Sequence, residues 1–400
     1  MMKLISTVSQ HVSLDNAVKE LTDKLDHKLL STYIIYYTEN YAYKELHGLL
    51  HQTLPNVPFI GCSSCQALMT EKGFFKEPAI ALMGIYDDGI SSYGTGFADL
   101  KQFDSVEQAT KHAIERALIK ANRIGEVPSL IILHSTPGHE ESIINLMDKL
   151  FGTLVPIIGG SSADSSLSKR WSVMSDESFS DNGISLSLLF PSSSLSSGLS
   201  AGYSPTEFVG QVTRSEGRLI YEIDGEPAKE IYREWISDHS SIDIDDAFIF
   251  EHVTCFPLGR IVGDLYDQPY YKLTHPLQIT DSGTLEVFAN IEEGEEITLM
   301  TGHKEQLVNR VSRVIKEANA KNYADLPPLG AILIICAGAM FRLGDDIYRV
   351  HRTICEQLHG QPFICPFTYG EQGRFTGGQN AHGNLMISSV VFYESELKSL

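Results

Sequence analysis

Pro156-Ile157-Ile158-Gly159-Gly160-Ser161-Ser162-Ala163-Asp164 has two counterparts in the chain, Pro58-Phe59-Ile60-Gly61-Cys62-Ser63-Ser64 and Pro362-Phe363-Ile364-Cys365-Pro366-Phe367-Thr368. Each opens with Pro and two large apolar residues and then turns small or polar, as a buried strand does when it delivers a loop to a pocket. Upstream of each Pro lies a second apolar β-rich run: TYIIYY at 32–37, SLIILH at 129–134 and AILIIC at 331–336. Between the two runs apolar residues recur at helical spacing, at Leu46, Leu49, Leu50 and Leu54, at Ile143, Ile144, Met147 and Leu150, and at Ile347, Val350, Ile354 and Leu358. An earlier strand and helix recur too, at 4–8 with 17–25, 91–97 with 106–121, and 297–301 with 307–318, and a further strand follows each Pro motif at 79–86, 184–190 and 385–392.

The unit is therefore β-α-β-α-β-β, about a hundred residues long and far longer than a solenoid repeat. Copies are expected near 3–86, 91–190 and 296–393. The fold class is α/β, with mixed sheets built from three such repeats and a β-rich insert before the third. That insert is read as strands at 219–223, 248–253, 270–273 and 285–289 and a helix at 227–236 opened by Pro227. Residues 199–205 read as one more strand, after the Ser-rich PSSSLSSG at 191–198. A boundary near 210 divides the chain into 1–209, with two repeats, and 210–400, with the insert and the third.

Four hundred residues with 42% apolar content suffice for a large core. No apolar run approaches the ~18 residues of a spanning helix, so no membrane is expected. Met1 to Gln10 lacks the apolar segment of a secretory signal, which leads to the expectation of a cytoplasmic protein. A net charge of −20 without a Lys/Arg cluster argues against nucleic acid as a partner. The six cysteines do not form a disulfide framework.

Six stretches resemble the FIST sensory family, which pairs an N-terminal with a C-terminal FIST domain: PNVPFIGCSSCQALMTEKGF, VPIIGGSSAD, SDNGISLSLLF, DGEPAKEIYREW, LEVFANIEEG and PFTYGEQGRFTGGQNAHGN. They span nearly the whole chain in the family's order. The resemblance implies intracellular sensing of a small ligand, with the signal passed to a sensor histidine kinase or a cyclic-di-GMP enzyme. No kinase, cyclase or receptor domain accompanies the motifs here, so output through a separate partner is expected. Free-standing members of similar length include haem-binding nitric-oxide sensors, and the layout is similar to theirs. Amino acids are the second ligand class the resemblance implies.

The ligand site is expected where the loops after the Pro strands converge, with Gly61, Ser63, Gly159, Gly160, Ser161, Tyr369, Glu371, Arg374 and Asn384 as its residues. Glycines admit close backbone approach, and Glu371 with Arg374 would pair with the two ends of an amino acid. A b-type haem needs one axial residue facing an apolar pocket. The candidates are His134, at a strand end equivalent to Tyr37 and Cys336, then His303 past the strand at 297–301, and His382 within a family motif. Absence of Cys-x-x-Cys-His excludes covalent haem. The one alternative of another class is a thiol-dependent enzyme using Cys62 and Cys65. Hydrolase, zinc-protease and phosphate-loop motifs are lacking, and no catalysis is expected.

Overall fold

Each Pro-led stretch folds as a buried parallel strand, Phe59–Ser64, Ile157–Ser161 and Phe363–Thr368, in a computed structural model that describes residues 2–240, 253–265, 268–280, 282–320, 325–375 and 378–395. Each lies in register beside its apolar partner: Tyr33 opposite Phe59, Ile131 opposite Ile157, Ala331 opposite Phe363. Parallel pairing follows from the connection, because a helix must cross over between the two strands. The helices are Tyr43–Thr53, Glu140–Phe151 and Ile347–Gln357, each burying its apolar stripe. With both faces of the sheet covered, the strands read as continuous apolar runs.

All three sheets grow the same way from this pair. An antiparallel strand flanks it, Ile80–Asp87, Gly183–Phe190 or Met386–Tyr393, and an edge strand follows, Met2–Ser9, Ser92–Asp99 or Leu195–Ala201. The third edge strand corrects the expected repeat. Glu296–Thr301 pairs instead with Ser204–Glu216 and Leu258–Leu265, in a separate eight-stranded sheet. The insert therefore lies inside the third module, between its first strand and its first helix Lys304–Ala320. The Ser-rich composition at 191–198 conceals a strand because the helix packs closely on it. A Cβ on Gly198 would make an ordinary 3.4 Å contact with Val314, whereas in the second module one on Gly94 would be 2.0 Å from the Ala117 carbonyl. Small residues are what such an approach requires.

Beyond each Pro strand the chain leaves its own sheet. Hairpin 67–76 pairs with Phe363–Thr368 of the third module, hairpin 173–180 with Phe59–Ser64 of the first, and hairpin 371–383 with Ile157–Ser161 of the second. The exchange is cyclic. Where the sheets face each other, one apolar core draws Ile34, Ile60, Ile132, Ile158, Ile332 and Ile364 from all three modules.

The insert packs Tyr232, Trp235 and Ile236 of helix Ala228–Ser240 against Ile297 and Leu299. Its strands at 219–223, 268–274 and 285–287 match expectation, whereas 248–252 lie outside the described residues. The division at 209/210 falls within the strand Ser204–Glu216. No helix among the described residues is long and apolar enough to cross a membrane.

Cutting the chain between 190 and 191 strips hairpin 371–383 from one part and hairpin 67–76 from the other, leaving an open apolar edge on each. Each part alone is expected to aggregate in size-exclusion chromatography, and co-expression to recover a one-to-one complex. Two well-behaved independent monomers would contradict the exchange.

Candidate functional site

Ligands of parallel α/β sheets bind in the crevice at the carboxyl ends of the strands. The exchange creates three such crevices, and their side chains differ.

In the second module the crevice is filled. Glu140, fully buried in the first turn of its helix, accepts from the Ser161 hydroxyl at 2.6 Å, from Arg218 of the insert at 2.6 Å and from the Gly138 amide at 2.9 Å. Burial opposes its ionisation, but His382, once that ring is protonated in acid, together with Arg218 and Ser161 outweighs that and holds the carboxyl down at about 2. His382 stands in donated hairpin 371–383, its Nδ1 3.3 Å from Gln372 Nε2. Burial lowers the pKa of its ring despite Glu140 nearby, so the imidazole is neutral at pH 7.

In the third module the crevice is plugged. His275, Phe288, Cys336, Gly338, Tyr369 and Asn384 leave a cavity of about 10 Å³, room for about one water. Glu371 lies fully buried, accepting from Met386 N at 3.0 Å and Thr368 Oγ1 at 3.1 Å. Burial pushes its carboxyl well above the usual range, so it is a neutral acid.

The first module's crevice is open, with a volume of about 360 Å³. Its lining includes Tyr37, Glu39, Tyr41, Tyr43 and Ser63 from the first module and Lys169, Arg170, Trp171 and Ser172 from the loop leading into hairpin 173–180. Tyr37 OH lies 2.8 Å from Ser172 Oγ, and Ser63 Oγ accepts from Ser172 N at 2.9 Å, which fixes the floor. Across the mouth Arg170 reaches Glu39 at 2.9 Å, with side-chain exposures of 63% and 11%. Leu167 and Lys169 adopt left-handed backbone, with φ of 56° and 62°, a conformation uncommon outside glycine. Buried Asp164 holds this loop, accepting from Ser166 N at 3.2 Å and Arg170 N at 2.8 Å. Its carboxylate also accepts from Tyr369 OH at 3.0 Å, which ties the first crevice to the third.

Of the expected ligand residues, only Ser63 lines the open crevice. Tyr369 and Asn384 line the small cavity, and Ser161 is bonded to Glu140. Gly61, Gly159 and Gly160 serve packing: a Cβ on each would meet Ile35 O at 2.2 Å, Leu133 O at 1.7 Å and Thr368 Oγ1 at 2.5 Å. Glu371 and Arg374 are not brought together. Three residues apart in one strand they face opposite ways, and Arg374 bonds the Thr153 carbonyl at 2.7 Å.

The histidines are equally scattered. His134 is buried between sheets, with Nδ1 3.1 Å from Gly160 O and Nε2 3.0 Å from Tyr36 OH. His303 is exposed before helix Lys304–Ala320. His382 faces Gly370, where a Cβ would meet its ring at 2.3 Å. Among the described residues none of the three lines the 490, 360 or 350 Å³ cavities or the small one at Cys336, and His134 already engages both ring nitrogens, so these residues do not fit the group. Cys62 and Cys65 sit in different apolar cores, and burial pushes both thiols up, Cys65 to about 12; they form no activated dithiol. Glu39, Tyr41, Tyr43, Lys169, Arg170 and Trp171 were not anticipated. Their signal is the run TENYAY after a tyrosine-rich strand, and the basic pair beside one of only two tryptophans.

The Glu140→Gln change removes the 2.6 Å partner of Arg218 and leaves it Glu141 at 3.5 Å, and should destabilise the chain by about 2 kcal/mol. A carboxyl held at about 2 against an ordinary 4.5 stabilises the fold fully above pH 4.5 and loses that contribution as pH falls through 2. Urea midpoints of the two proteins are therefore expected to differ most above pH 5 and to converge towards pH 2.

Comparison with known proteins is consistent along the chain. The FIST N domain matches residues 32–226 and the FIST C domain residues 228–374. Over 313 residues the chain is 24% identical to an uncharacterized protein of Methanocaldococcus jannaschii, covering 72% of this chain and 56% of that protein. It thus spans about half the length of that relative. With both domains present in order, the chain belongs to the FIST family, whose domains are associated with small-ligand sensing in signalling.

Proposed function

We propose that this protein senses a free amino acid or a closely related zwitterion in the first-module crevice, and signals through a separate histidine kinase or cyclic-di-GMP enzyme. The observation that carries the reading is the Glu39–Arg170 pair across an open 360 Å³ crevice walled by tyrosines. Such a volume falls within the ~300–1,000 Å³ of small-molecule sites. The α-ammonium would bond Glu39 and the α-carboxylate Arg170, with Lys169 beside it. Arg170, 63% exposed, can leave the pair into solvent, and Glu39 keeps its bond from Ser165 N at 3.2 Å when it does.

The output route is supported by Asp164. A ligand that pulls Arg170 inwards moves the backbone whose amide Asp164 accepts, and Asp164 also holds Tyr369. Tyr369 packs on Phe288 of the insert, with ring centroids 6.4 Å apart. Differential contact with two states of this loop is what a ligand needs to shift their populations. The expected haem-based nitric-oxide sensor has no such support, because among the described residues His134, His303 and His382 line none of the larger cavities.

Calorimetric titration of the full chain with the twenty amino acids one at a time is expected to show saturable binding for at least one. Glu39→Gln and Arg170→Gln should each weaken it about ten- to a hundredfold, the worth of a hydrogen bond to a charged group. No heat with any of them, together with a stoichiometric Soret band that shifts with nitric oxide after haem is added, would overturn this reading in favour of haem.

A further inference from the structure

The third module carries a second groove, of about 350 Å³, far from its plugged crevice in sequence and chemistry. It lies where the edge strand Leu195–Ala201 leaves the module for the insert, and its other wall is helix Lys304–Ala320. Gly202 makes the joint tight, since a Cβ there would be 3.2 Å from Leu307 Cα. The polar lining is Tyr203, Ser204, Gln306, Asn309, Arg310 and Arg313.

Arg310 is the unusual member. Its Nε is buried without a hydrogen-bond partner, and no carboxylate among the described residues pairs with its guanidinium. The two acids of the helix are engaged elsewhere, Glu317 by Arg313 at 2.8 Å and Glu305 by Arg349 at 2.6 Å. Burial holds the Arg310 pKa below its ordinary value, Glu317 opposes that shift and Arg313 adds to it. In a chain with 51 acidic and 31 basic residues, a sheltered arginine without a counter-ion among the described residues is a poorly satisfied charge. The matching groove of the first module shows the contrast. There an acid, Glu20, occupies the helix wall beside Lys24 and Lys72 and accepts from the Ser9 hydroxyl at 2.5 Å.

We infer that the groove at Arg310 binds the oxyanion of a small molecule, phosphate or carboxylate. Arg310 would supply the guanidinium fork, and Arg313 on the rim a second positive charge. The Asn309 amide, Gln306, bonded to Ser204 at 3.1 Å, and the Ser204 hydroxyl would complete the shell. A local positive groove in a chain of net charge −20 concentrates anions that the rest of the surface repels. Because the groove sits between module and insert, an anion held there would clamp the joint through which Tyr203 already reaches Thr254 O at 2.6 Å.

The test is calorimetry of the full chain at low ionic strength with inorganic phosphate, pyrophosphate and citrate. Saturable binding of either phosphate or citrate is expected, the stronger of the two naming the class, and added salt should weaken it. Arg310→Gln, with an unchanged circular dichroism spectrum, should reduce affinity about ten- to a hundredfold, and Asn309→Ala supplies a milder variant should the first not fold. Glu39→Gln should leave it unchanged, since this site is independent of the amino-acid crevice. Absence of saturable binding of all three anions, or undiminished binding by folded Arg310→Gln or Asn309→Ala, would overturn the assignment.

Discussion

The parallel strand after each Pro would end its sheet with an unpaired, apolar edge, and the whole molecule is arranged to cover that edge. Phe59–Ser64, Ile157–Ser161 and Phe363–Thr368 each receive a hairpin from a different module, so the three sheets close into a ring. An unpaired buried strand edge leaves backbone groups unsatisfied, and covering it is obligatory. The central core follows from the same closure, because it takes isoleucines from every sheet. The segments leading into the hairpins must then pass over the carboxyl ends of neighbouring strands. That is where α/β sheets bind ligands, so the staples between modules and the walls of the crevices are one stretch of chain.

The three crevices share a backbone plan and diverge in chemistry. The second holds an ionised Glu140 and is joined to the insert through Arg218. The third holds a neutral Glu371 and closes to about one water. The first keeps ligand-sized space among the described residues, and it does so with an ion pair across its mouth that a zwitterion can replace. Two buried carboxyls thus end in opposite protonation states. Glu140 meets a guanidinium, whereas Glu371 meets only neutral donors, and burial decides the outcome.

Much of this was legible from the residues. The Pro motif, its parallel partner and the crossover helix all stand where periodicity put them, because apolar runs and helical stripes are local signals. The third edge strand was only partly legible, read at 199–205 where it runs Leu195–Ala201, since the Ser and Gly residues of its first half look like a linker. Hairpin exchange leaves no local trace either, yet it decides which loops meet. Hence Ser63 was anticipated in the open crevice while Arg170 and Trp171, delivered by another module, were not. The separation of Glu371 from Arg374 follows from strand parity, once 371–374 is known to be a strand. His134 illustrates the opposite case: a strand-end histidine whose two nitrogens are both engaged within the core.

The central claim is that the first crevice is coupled to the insert through the segment that also staples the modules. Hydrogen–deuterium exchange of the full chain, with and without its amino-acid ligand, tests it most directly. The account expects added protection at 37–43 and 165–172, and with it at 369–375 and 285–291, the segments joined through Asp164, Tyr369 and Phe288. Protection confined to 37–43 and 165–172, with 369–375 and 285–291 unchanged, would contradict it.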